Sequence, residues 1–158
     1  MIYKNDLGEP VLRATRLGGL TIFTEHRPDG EAAALVGIAS PLKLAIMGPA
    51  AFGYRLAEAS DRASRVARRI IVFGADATPT SAPLIADAAL VTSAALVRIG
   101  KRSDGRQLLD RILRVELIEG PKASVQLSDG VLLVVVVPPQ GLAGRPSSDR
   151  ILQVAGHR

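Results

Sequence analysis

The stretch Lys122-Ala123-Ser124-Val125-Gln126-Leu127-Ser128-Asp129-Gly130-Val131-Leu132-Leu133-Val134-Val135-Val136-Val137 decides the fold class. Ala123, Val125 and Leu127 alternate with Lys122, Ser124 and Gln126, the period-two pattern of a strand with one face turned inward. Asp129-Gly130 separates this run from the next, and that dipeptide favours a tight hairpin turn. Val131 to Val137 supplies the second strand; its seven residues are too few to cross a bilayer as a helix. Pro138-Pro139 ends it, because proline brings no N–H to a ladder. Just upstream, Arg114-Val115-Glu116-Leu117 alternates too: it either supplies a third strand, Val115 to Ile118, or prolongs the helix before it, and Gly120-Pro121 ends it either way.

The middle of the chain changes period. Phe52, Leu56, Ala59, Ala63, Val66 and Ile70 recur in steps of four and three, which predicts a helix from about Pro49 to Ile70 with these residues on one side. Leu56 and Val66 are expected to face the core and Arg62 the solvent. Glu58–Arg62 and Asp61–Arg65 stand at the supportive i,i+4 spacing. Ile70 to Phe73 reads as a strand after it. Gly74 to Pro83 is a connection, with Ser81 placed to cap a second helix over Leu84 to Val97. That alanine-rich helix is apolar around most of its circumference, so burial is expected. Asp104 and Gln107 have capping-box spacing before a short helix from Gly105 to about Leu113.

The first forty residues read as a meander. Asn5-Asp6-Leu7-Gly8 is a hairpin turn, Val11 to Thr15 and Leu20 to Thr24 are strands, Arg27-Pro28-Asp29-Gly30 is a turn, and Leu35 to Ile38 is a further strand. After Pro139, Gly141 to Ser148 is a loop, and Ile151 to Val154 is a short element capped by Ser147 or Ser148. Asp110 to Val115 and Asp149 to Val154 echo each other with one difference, read as coincidence or a shared packing role. The expectation is an α+β fold, with small antiparallel hairpins or meanders at both ends around a central helical block. Residues 1–158 are taken as one compact domain, or a fragment of a longer precursor.

Composition narrows the chemistry. Apolar residues make up 47% of the chain and aromatic residues 3%, so the core is aliphatic and base-stacking platforms are few. There is no cysteine, hence no disulfide or thiolate chemistry. The net charge of +5, mostly arginine, promotes solubility and weak attraction to polyanions without establishing nucleic-acid binding.

No residue is assigned a catalytic, cofactor-binding or metal role. The two histidines, His26 and His157, are far apart in sequence and offer no zinc spacing. His26 lies near Glu25 and Asp29, so a hydrolase built on His26, a carboxylate and a serine is one alternative. No serine sits in a Gly-x-Ser-x-Gly elbow, and neither a Walker sequence nor a Gly-x-Gly-x-x-Gly fingerprint is present. Asn5, Asp6 and Glu9 could form an oxygen-rich calcium site, but a hairpin turn explains Asn5 to Gly8 more economically. Arg55, Arg62, Arg65, Arg68 and Arg69 flank the helical stripe, and Arg98, Lys101, Arg102 and Arg106 form a second basic run. A polyanion- or nucleic-acid-binding module is the other alternative, strengthened if the two runs meet in space. Nucleic acid is otherwise not the expected partner.

Ile2 to Arg13, then Leu17-Gly18-Gly19-Leu20-Thr21, the valine run after Gly130, and Gly144-Arg145-Pro146-Ser147-Ser148 resemble a proteobacterial domain-of-unknown-function family. The resemblance covers most of the chain. It carries no established catalytic residues, and it implies an exported or periplasmic protein with a signal and further sequence ahead of this region. This chain departs by starting at the first hairpin. The leading expectation is a non-enzymatic structural or interaction domain of the bacterial envelope, not spanning a membrane, with a protein or envelope partner and no cofactor.

Overall fold

The computed structural model describes residues 1–40 and 42–157. It is a mixed α+β protein, with antiparallel pairing towards both ends of the sequence and helices between. Backbone contacts divide the chain into two compact units, Met1–Pro41 and Leu42–Arg158, where the sequence reading took one domain.

The first unit is a meander of β1 (Ile2–Lys4), β2 (Pro10–Ala14), β3 (Leu20–Thr24) and β4 (Arg27–Ala33), each antiparallel to the next. Asn5 closes the first hairpin, because its side-chain oxygen accepts from the amides of Leu7 (2.9 Å) and Glu9 (3.0 Å). This is the turn the sequence led us to expect. The expected turn at Arg27–Gly30 is instead strand β4. The chain reverses one step earlier, at Glu25-His26, where the Thr24 hydroxyl accepts from the Arg27 amide. Pro28 is tolerated there because β4 is an edge strand. Leu35 to Ile38, expected as a strand, has no ladder partner and no regular structure.

The second unit is a two-layer structure. Helix α1 (Pro49–Ala67) leads to β5 (Val72–Ala75), then come α2 (Ala82–Gly100), α3 (Gly105–Asp110), β6 (Arg114–Glu119), β7 (Ser124–Ser128), β8 (Val131–Val136), a 3-10 turn (Pro138–Gly144) and α4 (Ser148–Ala155). The sheet order is β5-β6-β8-β7. The β7–β8 hairpin is antiparallel, as its Asp129-Gly130 turn predicts, with φ of 50° and 79° at those residues. Strands β5, β6 and β8 run parallel, which the sequence reading of two antiparallel regions did not anticipate. A parallel neighbour requires a long crossover, and here α2 and α3 supply it between β5 and β6.

Alternation along the strands separates two faces. Phe73, Val115, Leu117, Val125, Leu132, Val134 and Val136 are buried, while Arg114, Glu116, Ile118, Leu133 and Val135 on the other face are half-buried or exposed. Helices α1, α2 and α4 contact β5, the β6–β8 pair and β7 respectively. Helix α2 is the centre of the core, burying Leu84, Ile85, Ala88, Ala89, Leu96 and Ile99. It is the one described helix long and apolar enough to cross a membrane, but most of that length is buried against the rest of the unit.

In α1 only Ala59 and Ala63 are fully buried; Phe52, Leu56 and Val66 are half-buried against the core, and Arg62 is exposed, as expected. Ile70 falls off the predicted stripe, 78% exposed, because the helix has already ended at Arg68. Ser64 ties the helix to the sheet: its hydroxyl accepts from the Ile71 amide (2.9 Å), and Ser60 donates to the Ile71 carbonyl (2.7 Å). The α4 cap is Ser147, whose side chain accepts from the Arg150 amide. Asp104 makes no capping bond; Arg102 takes its carboxylate. The Asp110 and Asp149 echoes lie in different surroundings, one at a helix end leading into β6 and the other inside α4, so they mark no repeat.

Candidate functional site

The carboxyl ends of β5, β6 and β8 lie along one edge of the second sheet, the edge at which open α/β sheets commonly hold ligands. The β5–α2 connection is braced there. Ser81 Oγ accepts from the Thr78 amide (2.9 Å), and the Ser81 amide donates to Thr78 Oγ1 (3.2 Å). Thr78 Oγ1 donates to Glu119 Oε1 (2.9 Å), joining this loop to the end of β6. Hydrogen bonding by Ser81 and Thr78 holds the Glu119 carboxyl below the usual range. Ser81 is fully buried and starts α2, but its hydroxyl serves this brace instead of the helix cap that its position predicted.

Beside the brace is an apolar groove of about 540 Å³, lined by Leu42, Ile46, Pro79, Pro83, Pro139 and Leu142 among others. Three segments build it: the approach to α1, the start of α2 and the turn after β8. Prolines bring no N–H, so these walls contribute few donors and the groove favours aliphatic contact. Leu42 is 86% exposed and Ile46 98%. Among the described residues, Lys43 is the one charged residue that lines it. The turn behind it is pinned by Arg145, 15% exposed in its side chain, whose guanidinium donates to Asp87 of α2.

The sequence candidates lie elsewhere. His26 is exposed in the β3–β4 turn. The neighbouring cavity of about 500 Å³ is lined by Asn5, Glu9, Val11, Phe23 and Glu25, without His26 or any serine. His157 packs its ring nitrogen on the Gln153 carbonyl. Among the described residues no group of three His, Cys, Asp or Glu side chains is placed to hold a metal ion, and Asn5 spends its oxygen on the hairpin amides.

The arginines divide by task. Arg55 pairs with Glu58 (3.1 Å), not the expected Arg62, while Arg65 pairs with Asp61 as predicted. Arg69 turns inward and donates to the carbonyls of Leu109 and Ile112. It therefore leaves the first of the two basic runs on which the polyanion reading drew. The two basic runs meet differently. Arg65 of α1, Arg68 just past its end and Arg106 of α3 surround one cavity of about 440 Å³, floored by Val66, Gly100 and Leu109. Helices α1 and α2 end side by side here; a methyl on Gly100 would fall 2.1 Å from Val66 Cγ2. Arg68 closes α1 in the left-handed conformation, at φ 55° and ψ 32°. Glycine is the usual residue there, and a side chain costs about 1 kcal/mol.

Sequence reasoning found Ser81 only as a cap and missed Thr78, Glu119 and the groove. The proline pairs at 79/83 and 138/139 marked element ends, which was their one local signal. No curated protein and no solved structure matches the chain. A family model, the domain of unknown function DUF4908, matches residues 1–155. That match takes in both sheets, all four helices and the groove, and the chain therefore belongs to the DUF4908 family.

Proposed function

We propose that this protein is a non-enzymatic structural domain that works by self-association through the apolar groove and its rim. The observation that carries the reading is the near-complete exposure of Leu42 and Ile46 beside an aliphatic groove. Large aliphatic side chains clustered in water mark a surface that gains by being covered. A second copy suits it. The chain carries a net charge of +5, so two copies repel over most of their surfaces. Among the described residues this patch has a single charge, Lys43, whose ammonium can stay in water at the rim while its stem lies on the apolar surface. The same aliphatic patch on both partners is the chemistry of a two-fold, isologous contact. The envelope location rests on the resemblance carried by the motifs at both ends of the chain, and fractionation of the producing bacterium tests it; recovery with the cytosol alone removes it.

Sedimentation velocity from micromolar to submillimolar concentration tests the association. The wild-type chain is expected to be a dimer. Leu42→Asp with Ile46→Asp should be monomeric and keep the same circular dichroism, since neither side chain belongs to the core. A monomeric wild type, or a double variant that still dimerises, would overturn the reading. Saturable ester hydrolysis lost in His26→Ala would instead bring the hydrolase forward.

A further inference from the structure

We infer that the cavity where α1 and α2 end is a binding site for a phosphate-bearing small molecule, held by Arg65, Arg68 and Arg106. Three observations converge on it. First, the arginines come from two separate elements and open onto one cavity, whose size suits a small ligand. Second, among the described residues the side chains of Arg68 and Arg106 make no hydrogen bond or ion pair, as is also true of Arg62 and Arg98, so both guanidiniums that line the cavity stand open to a ligand, whereas Arg65 is paired with Asp61. Third, Arg68 stands in a left-handed helix end where glycine would be free of strain. A side chain kept at such a position needs a reason, and a guanidinium directed at a ligand provides one.

The competing explanation is that these arginines offset the negative ends of the two helices. Each helix end is equivalent to about half a negative charge, so the pair contributes about one. Three guanidiniums, less the Asp61 carboxylate paired with Arg65, exceed that sum. The cavity stays positive after the helix ends have been neutralised. Guanidinium groups bind phosphate oxygens in pairs, which suits a terminal phosphoryl group. Val66 and Leu109 on the floor accept the apolar body of an organic phosphate. Among the described residues no aromatic side chain lines the cavity, so none of them stacks a base as single-stranded nucleic acid requires.

Calorimetric titration of the full chain with inorganic pyrophosphate tests the site, with vesicles of phosphatidylglycerol as a second arm. Saturable, equimolar binding that weakens with salt is expected. Arg106→Ala and Arg68→Gly should each lower affinity tenfold or more, while Lys122→Ala, on the β6–β7 connection, should leave it unchanged. Arg68→Gly separates the two explanations, because glycine relieves the backbone: its melting temperature should equal or exceed that of the wild type as pyrophosphate binding falls. Tighter binding of vesicles than of pyrophosphate, lost in the same variants, would identify the phosphate as that of a lipid headgroup and support the site. An Arg68→Gly protein that melts lower and binds pyrophosphate as the wild type does would assign the arginine to the helix end and overturn the proposal. So would failure of the wild type to bind either probe.

Discussion

The two four-stranded sheets carry similar alternation in sequence and end with different environments. In β1–β4 no described side chain is fully buried, and Ile2, Tyr3, Val11 and Ile22 are exposed. In the central strands β6 and β8, Val115, Leu117, Leu132, Val134 and Val136 are sealed from water. Alternation specifies a strand, but burial needs a second layer. The second unit has one, because α1, α2 and α4 each present an apolar stripe to its sheet. The first unit has hairpin turns and cross-strand contacts, such as Arg13 over the Phe23 ring at 5.3 Å, but no helix.

The contrast makes its largest prediction in paired truncations. Leu117→Ala removes a fully buried side chain of β6 and should cost about 2–5 kcal/mol in urea unfolding. Ile22→Ala in β3 should cost less, about 1 kcal/mol, because 43% of that residue stays exposed and no second layer packs on it. Equal losses would break the contrast. Leu56→Ala lies between them, at about 1–2 kcal/mol, since that side chain is only half-buried. Next in size is Gly100→Ala, where the new methyl meets Val66 at the junction of α1 and α2; overpacking of about 1–3 kcal/mol is expected, and a neutral result would mean that the helix ends can part.

Local chemistry made much of this legible. The Asp129-Gly130 hairpin, the α1 pattern and the buried α2 follow from side chains within a turn or two of one another, and each is present. The parallel pairings were not legible, because β5 and β6 are separated by two helices and β6 and β8 by the intervening strand β7. Leu35 to Ile38 misled for the opposite reason: its composition suits a strand, yet no neighbouring strand offers it a ladder. The groove combines residues 42–46, 79–84 and 138–142, so its only trace in the sequence was proline at element ends. Ser81 was placed correctly and misread in role, since Thr78 competes locally for its hydroxyl and Glu119 reaches the brace from another strand.

The smallest effect concerns Glu119. Its carboxyl titrates below the usual range in the folded protein, so its contribution is present at neutral pH and fades as pH falls below the ordinary glutamate value of about 4.3. Glu119→Gln should lower the melting temperature slightly at pH 7, and the gap should close towards pH 3. A gap that widens on acidification would reverse the assigned sign. Because Glu119 is near the surface, solvent screening keeps the effect small.

Residue-resolved amide hydrogen exchange under native conditions tests most directly the claim that the sealed core belongs to Leu42–Arg158 alone. Amides of β6, β8 and the middle of α2 should exchange only through global unfolding, with the denaturant dependence of the whole transition. Ladder amides of β2 and β3 should open at lower free energy, with a weak denaturant dependence. Equal protection and equal denaturant dependence in both sheets would contradict the claim, because the first sheet would then be as well sealed as the second.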